Sequence, residues 1–341
     1  MNRYIHEGGS SGWEGRLFDK IHVGRNFEMK KILAVLIAVF LFTGAAAMAE
    51  GTYSVGVCQL VQHVALDAAT QGFQDALTDK LGDAVTFNVQ NASGDSNTCS
   101  TIVNNFISGN VDLIMANATP ALQAAVAATG DIPILGTSVT DYATALDIDD
   151  WNGATGMNVS GTSDLAPLDQ QAEMLHELFP DAGKVGILYC SAEPNSKYQA
   201  DVIIGYLTGM GYACTEYTFA DSNDVASVAQ NACDGSDVLY IPTDNTAASC
   251  TEAIRNVVEP AMMPVITGEE GLCAGCGVAT LSISYYDLGY TTGEMAYEVL
   301  VNGADTATMD IRFAPNVTKE YNAELCELLG VAIPADYTAI Q

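Results

Sequence analysis

The sequence YSVGVCQL at residues 53–60 returns as a second copy, KVGILYC, at residues 184–190. The V-G-V of residues 55–57 corresponds to the V-G-I of residues 185–187. Each copy is a short apolar run bounded by polar residues, which is typical of a strand in a parallel sheet. The repeat therefore predicts two domains of similar construction, each beginning with such a strand.

Strand-like and helix-like stretches follow each copy in the same order. After the first copy come helices at about residues 66–81, 97–108 and after Pro120, interleaved with strands at 85–90, 111–116 and 132–138. After the second come helices at about residues 197–209, 224–232 and 247–258, interleaved with strands at 214–219, 237–242 and 264–268. This alternation indicates β-α-β units. The sequence thus predicts an α/β fold of two similar doubly wound parallel-sheet domains, with a ligand cleft between them.

The limits of the two domains follow from a linker and a late helix. Residues 152–167 are rich in Gly, Ser and Thr, which predicts a crossing between the domains. A helix at residues 288–302 has no counterpart in either copy and is expected to pack back on the first domain. We assign residues 53–163 plus 284–303 to an N-terminal α/β lobe and residues 164–283 plus 304–341 to a C-terminal α/β lobe.

The stretch MKKILAVLIAVFLFTGAAAMAEG at residues 29–51 has the layout of an export signal. It has two lysines, an apolar run at residues 32–42 that is too short to span a membrane, and an A-M-A site. We predict a signal peptide at residues 29–49, cleaved after Ala49, and a non-native or misassigned extension at residues 1–28. The nearest downstream cysteine, Cys58, is too distant for a lipid-anchor motif. The predicted location is periplasmic or otherwise extracytoplasmic.

The charge balance of the chain is strongly acidic. Twelve Lys and Arg residues stand against 42 Asp and Glu residues, which gives a formal net charge of -30. Removal of residues 1–49 takes away six cations and four acids, so the mature chain carries -32. A field of this sign repels phosphate backbones and anionic lipid headgroups, and nucleic acid is therefore excluded as a partner.

Six polar loops are expected at the carboxyl ends of the predicted strands, where ligands bind in open parallel sheets. They span residues 59–67, 117–120, 137–141, 191–196, 243–245 and 268–271. Their Ser, Thr, Asn and Asp side chains are also preferred helix caps, so capping stays open as the alternative role of each. Together the loops carry hydroxyls, amides and carboxylates, without a metal-binding cluster or a nucleophile beside a base. This composition predicts a binding site with no catalytic residue, no metal and no cofactor.

The loops also carry motifs that recur in order along the chain. Residues 59–67 read QLVQHVALD, 118–120 ATP, 137–141 TSVTD, 163–165 SDL, 191–196 SAEPNS and 242–245 PTDN. The set resembles the substrate-binding proteins of ABC importers with the type I periplasmic binding protein fold, in particular the TrpX-like branch for tryptophan or tyrosine. Departures from the family pattern are Gln62, Val64 and Glu269, where the family has Glu, Pro and Asp. The resemblance runs from residue 53 to the C-terminus and implies ligand capture by closure of two lobes.

The few cations of the mature chain narrow the choice of ligand. Six remain, and of these only Lys197 lies near a predicted loop, so a phosphate or polyanion has almost nothing to pair with. A single carboxylate can still be held by backbone N–H groups and hydroxyls at helix N-termini. Thr119, Ser138 and Thr140 fit that task.

A bound ammonium needs a carboxylate partner. Four acidic residues of the loops could supply it: Asp164, Asp244, Glu269 and Glu270. The type I amino-acid-binding proteins that this chain resembles divide the tasks in this way, with hydroxyls and amides of the first domain on the carboxylate and an acid of the second on the amine. A zwitterion, foremost an aromatic amino acid, uses both.

The full set of expected ligand contacts comes from these loops and the last crossing. It comprises Gln59, His63, Thr119, Pro120, Ser138, Thr140, Asp164, Ser191, Glu193, Asn195, Ser196, Thr243, Asp244, Asn245, Glu269, Glu270 and Tyr286. Tyr285 and Tyr286 precede the last crossing, and either could stack on an aromatic ligand or pack the hinge. His63 could contact the ligand or hold the first loop.

These observations predict the extracytoplasmic solute-binding component of an ABC importer, a monomer that works with membrane permease subunits and is not an enzyme. A sugar- or nucleoside-binding protein shares the fold, but pentose clefts typically use Arg, which these loops lack. A thiol/disulfide redox protein is the alternative from another class, because Cys273 and Cys276 form a C-x-x-C; their position after Gly271 favours a local disulfide or a chance pair. Pairing among the nine cysteines, Cys58 and Cys99 included, stays open.

Overall fold

Two β-sheets form around the repeated strands in a computed structural model, which describes residues 52–314 and 316–340. The predicted signal peptide and N-terminal extension lie outside these residues. The first sheet contains β1 (Tyr53–Gln59), β2 (Val85–Asn91), β3 (Leu113–Asn117), β4 (Ile134–Val139), β5 (Val159–Ser163) and β11 (Arg312–Phe313). The second contains β6 (Lys184–Cys190), β7 (Ala213–Phe219), β8 (Val238–Ile241), β9 (Val265–Thr267), β10 (Ala279–Ile283), β12 (Val317–Tyr321) and β13 (Thr338–Ala339).

Helices connect these strands. They are α1 (Val64–Leu81), α2 (Ser96–Ser108), α3 (Thr119–Ala128), α4 (Tyr142–Leu146), α5 (Leu168–Leu178), α6 (Pro194–Gly209), α7 (Val225–Gly235), α8 (Asn245–Ser249), α9 (Thr251–Val258), α10 (Glu270–Cys276), α11 (Tyr285–Asn302) and α12 (Ala323–Leu329). Single turns of 3₁₀ helix occur at Gly82–Ala84 and Thr306–Thr308. Within residues 52–314 and 316–340, no helix is long and apolar enough to cross a membrane.

The strand order confirms the predicted fold class. The first sheet has the order β2-β1-β3-β4-β5-β11, with every pairing parallel. The second has the parallel order β7-β6-β8-β9-β10, and it continues into β12, antiparallel to β10, and β13, parallel to β12. In each sheet the repeated strand, β1 or β6, lies second from an edge. The two lobes therefore share one doubly wound topology.

The side chains of β1 show how the first sheet is covered on both faces. Val55 and Val57 belong to an apolar cluster that includes Phe73 of α1, and Cys58 belongs to a separate cluster with Phe106 of α2. Alternate residues of a strand point to opposite faces of its sheet. A sheet with apolar side chains on both faces must be covered by helices on both, which leaves the strand ends as the place for polar loops.

The glycine in each copy of the repeat allows a close approach to the strand. A Cβ atom at Gly56 would lie 2.6 Å from the ring of Phe106 on α2. One at Gly186 would lie 2.5 Å from Ser236 Oγ and 2.6 Å from Leu239 Cδ2. These separations are far shorter than a van der Waals contact, so a larger residue at either position would push its neighbours away from the strand.

The chain crosses between the sheets three times. β5 pairs with β4, so the Gly-, Ser- and Thr-rich stretch contains a strand of the first sheet. The first crossing comes after Asp164, whose N–H donates to Val139 O at 3.2 Å, so Asp164 lies with the first lobe and not, as predicted, with the second. The second crossing lies at Ser284, before α11, which packs on α1 in the first lobe. Because β11 pairs with β5, the chain stays with the first sheet to Phe313, later than the predicted change at residue 304.

Candidate functional site

Hydroxyl and carboxylate side chains gather at the carboxyl ends of three strands of the first sheet. Thr119 follows β3, Ser138 and Thr140 lie at the end of β4, and Asp164 follows β5. All four residues are buried, and none is more than 5 % exposed. Because β3, β4 and β5 are neighbours in a parallel sheet, their ends lie side by side. The structure therefore brings the three expected carboxylate-binding hydroxyls together with one of the expected ammonium partners.

Several polar atoms of this group have no hydrogen-bond partner among the described residues. They are Thr119 Oγ1, Ser138 Oγ and Asp164 Oδ1 in the first lobe and Asn195 Oδ1 in the second. Asn117 Oδ1, at the end of β3, is also buried without a partner in the described chain. Buried polar atoms are nearly always paired in folded proteins, and an unpaired one costs about 1–3 kcal/mol. A polar ligand at these strand ends would satisfy them.

The backbone beside these atoms is strained. Ala118 has a φ of 90° and Ser138 a φ of 54°, a region that residues with a Cβ seldom adopt. The Ala118 N–H donates to Thr137 O at 3.0 Å, so a hydrogen bond between adjacent strand ends holds the strained residue. Such conformations cost about 1–3 kcal/mol each and cluster at ligand sites. The strain thus coincides with the unpaired hydroxyls.

Asp164 has one carboxylate oxygen occupied and one free of partners in the described chain. Its Oδ2 accepts a hydrogen bond from the Tyr285 hydroxyl at 2.9 Å, whereas Oδ1 is the unpaired atom. Burial raises the pKa of Asp164, because the charged form loses its hydration. A ligand ammonium would supply the missing partner and favour the charged form.

Glu193, at the start of α6, uses both carboxylate oxygens within the second lobe. Oε1 accepts from the Thr246 N–H at 2.8 Å and the Thr246 hydroxyl at 2.7 Å. Oε2 accepts from the Asn245 N–H at 3.1 Å and the Asn245 side-chain amide at 2.7 Å, and from the Asn195 amide at 3.3 Å. Glu193 therefore ties the loop after β6 to the loop after β8 and has little capacity left for a ligand.

Two further acids of the second lobe are occupied by backbone donors. Asp244 caps α8 and accepts from two backbone N–H groups at 2.8 and 2.7 Å, and Glu269 caps α10 and accepts from two at 2.6 and 2.5 Å. Burial raises the pKa of each carboxyl to about 7. Glu270 is exposed. Of the four acids expected to meet an ammonium, Asp164 is thus the one that is buried with a free oxygen in the described chain.

Side chains of the two lobes meet across the cleft. His63 Nε2 lies 3.3 Å from Asn245 Oδ1, and Gln199 Nε2 lies 3.5 Å from Thr140 Oγ1. Gln199 also donates to Thr243 O at 3.1 Å and accepts from the Thr243 N–H at 3.2 Å. Burial lowers the pKa of His63. These contacts join the two lobes across the cleft.

Gln199 also belongs to the site, although it is not among the residues expected from the sequence. It lies one helical turn after Asn195 on α6, so both residues share one face of that helix. Both side-chain amides donate to Thr243 O, in the loop after β8. The unpaired Asn195 Oδ1 therefore lies beside the Gln199 amide and this loop.

Two cavities lie between the lobes. The larger, of about 240 Å³, is bordered from the first lobe by Pro120 and Ser96 and from the second by Ala192, Glu193 and Asn245, among others. The smaller, of about 110 Å³, is bordered by Val64, Ala65, Ala68, Glu269, Glu270, Gly271, Ser284, Tyr285 and Tyr286. Both are therefore lined by the predicted loops, and both draw residues from the two lobes.

The structure does not bring every expected residue to the centre. Ser191 is exposed, and its hydroxyl donates to Phe219 O at 3.2 Å. Tyr286 is 40 % exposed and donates to Asp75 Oδ2 at 2.9 Å, on the outer surface of α1. Tyr285 is buried against Asp164 instead, because adjacent residues of a helix point about 100° apart. Tyr285 rather than Tyr286 is the tyrosine of the site.

Other expected residues are satisfied inside one lobe. Gln59 donates to Asp67 Oδ1 at 2.6 Å and accepts from the Thr70 hydroxyl at 2.6 Å, which fastens the first loop to α1. Ser196 is fully buried and its hydroxyl lies 3.4 Å from the Asn195 side-chain amide. Thr243 Oγ1 lies 3.5 Å from Gly268 O, in the loop after β9. These residues shape the loops and leave few free polar atoms.

The chain matches the family described as ABC transporter substrate binding protein over residues 54–339. It belongs to that family. It is 37 % identical over 293 residues to the Tyrosine-binding protein of Clostridioides difficile (strain R20291), a match that covers 80 % of this chain and 85 % of the relative. The predicted family and its role, the extracytoplasmic solute-binding component of an ABC transporter with a small-molecule ligand and permease partners, are confirmed.

Three solved structures are also similar to this substrate-binding protein. The ABC domain in complex with L-Trp from Streptococcus pneumoniae has a TM-score of 0.81 at 28 % identity, and a conserved domain protein from Vibrio cholerae has 0.81 at 32 %; each match covers 85 % of this chain and 100 % of the other. The ligand-free, open structure of a substrate-binding protein with adhesive properties from Clostridium difficile has 0.65 at 35 %, covering 85 % of this chain and 99 % of the other.

Five of the six cations in the described part of the substrate-binding protein form surface ion pairs away from the cleft, and the sixth, Lys184, is exposed at the start of β6. Lys197 is half exposed and pairs with Asp201 and, at 3.8 Å, with Glu216. The other pairs are Lys80–Glu294, Arg255–Glu259, Arg255–Glu324, Arg312–Glu298, Lys319–Glu177 and Lys319–Asp336. In the described part of the chain, no group of three or more His, Cys, Asp or Glu side chains could hold a metal ion.

The C-x-x-C of the substrate-binding protein lies on α10 and is buried. Burial raises the pKa of the Cys273 thiol well above its usual range and that of Cys276 to about 12. The Cys276 thiol donates to Leu272 O at 3.4 Å. Redox-active cysteine pairs are partly exposed and have lowered thiol pKa values, so this geometry counts against the redox alternative.

Proposed function

We propose that this protein captures an amino acid, foremost an aromatic one, by closure of its two lobes. The observation that carries the proposal is the group formed by Thr119 Oγ1, Ser138 Oγ and Asp164 Oδ1, which are buried at adjacent strand ends and have no partner among residues 52–314 and 316–340. Hydroxyls can donate to a carboxylate, and a carboxylate can accept from an ammonium. An α-amino acid carries both groups on one carbon atom and would satisfy all three side chains together.

The ligand carboxylate binds to the first lobe through neutral donors. The hydroxyls of Thr119, Ser138 and Thr140 supply hydrogen bonds, and the backbone N–H groups at the start of the 10-residue helix α3 add to them. No side chain caps the start of α3. The ion pairs of the described cations keep these cations on the surface, which supports recognition by hydroxyls and the helix N-terminus.

The ligand ammonium binds to Asp164. The Tyr285 hydroxyl orients this carboxylate through Oδ2 and leaves Oδ1 for the ligand. The other buried acids of the cleft, Glu193, Asp244 and Glu269, already accept hydrogen bonds from backbone N–H groups at helix starts. Asp164 is therefore the buried acid that still lacks a partner, and one positive charge on the ligand supplies it. This favours a ligand with a single ammonium over a more highly charged cation.

The aromatic class is supported by two relatives. One is named for tyrosine, and one was solved with L-Trp. The site of the present chain includes a buried tyrosine, Tyr285, beside the apolar side chains Val64 and Ala65 at the smaller cavity. An aromatic ligand that packs against this ring gains about 0.5–1.5 kcal/mol beyond the burial of its area.

Closure is supported by the two solved structures whose ligand states are known. The present arrangement has a TM-score of 0.81 with the L-Trp complex and of 0.65 with the ligand-free, open protein, although the open protein has the higher sequence identity. The contacts His63–Asn245 and Thr140–Gln199 join the lobes. Ligand binding then shifts the population from the open to the closed form, which the permease recognises.

The remaining features of the proposal concern the state of the chain. We propose that it acts as a monomer without catalytic activity and that the signal peptide at residues 29–49 exports it, with cleavage after Ala49. The buried thiols of α10 and the binding function of the relatives support the non-catalytic role.

Isothermal titration calorimetry with matched ligands tests the proposal. We expect saturable binding of L-Tyr, L-Trp or L-Phe. Tyramine, which lacks the carboxylate, leaves the buried hydroxyls without a partner, and 3-(4-hydroxyphenyl)propionate, which lacks the ammonium, leaves Asp164 without one. Each should therefore bind about 100-fold more weakly or worse. D-Ribose and D-galactose serve as controls for the sugar alternative. Saturable sugar binding without amino-acid binding, or equal affinity for both truncated analogues and L-Tyr, would overturn the proposal.

A further inference from the structure

Two buried cysteines lie in one apolar cluster of the first lobe, outside the group of unpaired hydroxyls. Cys58 is the next-to-last residue of β1, and Cys99 lies in the first turn of α2. Both side chains are 0 % exposed and belong to the same apolar cluster between the sheet and α2. Neither thiol takes part in the proposed ligand recognition.

The packing of α2 on β1 determines that these residues are neighbours. The loop before α2 donates a backbone hydrogen bond to Leu60 O at 2.8 Å, which fixes the start of the helix at the end of β1. Further along α2, Phe106 covers Gly56, which shares a face of β1 with Cys58. The helix therefore runs antiparallel to the strand, and its first turn, with Cys99, lies over Cys58.

The two side chains lie in the same apolar cluster, and both cysteines are free in the structure. The neighbouring Cys99 and burial raise the pKa of Cys58, and the neighbouring Cys58 lowers the pKa of Cys99. Three other buried thiols in the described chain donate to backbone oxygens: Cys190 to Ala220 O at 3.5 Å, Cys276 to Leu272 O at 3.4 Å and Cys326 to Val278 O at 3.2 Å. Cys58 and Cys99 are instead the two cysteines of one apolar cluster.

We propose that Cys58 and Cys99 form a disulfide bond in the exported protein. Proteins outside the cytoplasm encounter disulfide-bearing oxidants, and two cysteines that face each other between a strand and its covering helix need little rearrangement to become bonded. The inference rests on the extracytoplasmic location of the family and not on the identity of the ligand.

The step is a thiol–disulfide exchange with a protein or small-molecule disulfide. The Cys99 thiolate attacks one sulfur of the oxidant and forms a mixed disulfide, and the first thiol of the oxidant leaves. Cys58, as its thiolate, then attacks Cys99 Sγ and displaces the second. The two cysteines lose two electrons and two protons, and the oxidant gains them as two thiols. Because both residues are buried in the folded lobe, the exchange takes place during folding after export.

The bond would join the strand that leads into the first ligand loop to the helix whose start borders the larger cavity. Gln59 directly follows Cys58, and Ser96 lies three residues before Cys99. Closing a loop of this length restricts the unfolded chain and stabilises the folded lobe. We expect reduction of the bond to lower the melting temperature by roughly 5–10 °C.

Non-reducing peptide mapping is the direct test. The full chain, exported by a bacterial host and purified without reductant, is alkylated with iodoacetamide in denaturant, digested and analysed by mass spectrometry. We expect the Cys58 and Cys99 peptides to be joined, two hydrogens lighter than the sum of the free peptides, and Cys273 and Cys276 to be alkylated. Recovery of Cys58 and Cys99 as separate alkylated peptides would overturn the proposal, and so would their pairing with other cysteines.

Thermal unfolding with and without dithiothreitol gives a second measurement on matched variants. Cys99→Ala should melt at the same temperature in both conditions, whereas Cys276→Ala, a control on a buried thiol of α10, should keep the sensitivity of the wild type to reductant. A wild-type melting temperature that does not change on reduction would contradict the proposal. If Cys99→Ala does not fold, the peptide map and the wild-type melting curves still decide the matter.

Discussion

The strand-end loops of the two lobes use the same kinds of residue in opposite ways. In the second lobe, Glu193, Asp244 and Glu269 accept hydrogen bonds from backbone N–H groups of their own loops and helix starts. In the first lobe, Ser138 and Asp164 keep unpaired polar atoms although they are equally buried. The acidic motifs of the second lobe thus build rigid loops, and the hydroxyl motifs of the first lobe are left for a ligand.

This difference indicates how the work of binding is divided. The first lobe has strained backbone at Ala118 and Ser138 and unpaired atoms beside it, so it gains most when the ligand arrives. The loops of the second lobe are satisfied before binding except at Asn195 Oδ1, and this lobe closes over the ligand as a preformed surface. Preformed loops lose little conformational entropy on closure, which favours affinity.

Glu193→Ala tests the second lobe and should have the largest effect. The substitution leaves the donors of Asn245 and Thr246 without their acceptor at a site that is 4 % exposed. We expect the free energy of unfolding to fall by about 3–5 kcal/mol, because at least two buried donors lose their acceptor at about 1–3 kcal/mol each. Urea denaturation measures it. Glu252→Ala, on the exposed side of α9, is the control and should change stability by less than about 0.5 kcal/mol. A loss below about 1 kcal/mol would contradict the structural role.

Asp164→Asn tests the first lobe and should act on binding instead of stability. The amide keeps the shape of the side chain but removes the charge that the ligand ammonium needs. We expect the affinity for the preferred amino acid to fall by about 2–4 kcal/mol, or roughly 30- to 1,000-fold, with the free energy of unfolding unchanged or increased. Calorimetry and urea denaturation of the same sample separate the two. Asp169→Asn, on the exposed face of α5, is the matched control.

The pH dependence of binding sharpens the same prediction. Burial raises the pKa of Asp164, so a fall in pH protonates it and removes the partner of the ammonium. The affinity of the wild type should therefore rise with pH as Asp164 ionises and then level off, and the Asp164→Asn variant should lack this dependence. A variant that keeps both the wild-type affinity and its pH profile would move the ammonium to another residue.

Most of the fold could be predicted because the repeat is carried by apolar strands. β5 escaped prediction, since its sequence V-S-G-T-S at Val159–Ser163 contains one apolar residue, yet all five residues are buried. The reason is close packing: a Cβ at Gly161 would lie 2.0 Å from the backbone oxygen of Gly136 on β4. Only small residues fit beside the neighbouring strand, and hydrophobic periodicity gives no signal for this requirement. β11, with two residues, is too short for any periodic signal.

The residue types of the candidate site and their positions in the loops could be predicted from the sequence. Which of these side chains already have hydrogen-bond partners could not. Asp164 and Asp244 both follow a strand and precede a helix, so the sequence treats them alike; only the contacts show that backbone donors occupy Asp244. Tyr285 and Tyr286 differ by one residue at the start of α11, and the phase of that helix decides which is buried. Side-chain contacts between segments far apart in sequence therefore set the chemistry of the site.

Lys197→Gln should have the smallest effect and tests whether any cation serves the ligand. Lys197 is the one cation near a predicted loop, but it pairs with Asp201 and Glu216 on the surface of α6 and is half exposed. Exposed ion pairs contribute about 0–1 kcal/mol to stability, and a residue that does not touch the ligand changes affinity little. We expect the amino-acid affinity to change by less than about twofold and the free energy of unfolding by less than about 1 kcal/mol. Lys184→Gln, at the exposed start of β6, is the control. A tenfold loss of affinity in Lys197→Gln alone would show that the hydroxyls of the first lobe do not hold the carboxylate by themselves. A cation of the second lobe would then also contribute to carboxylate binding.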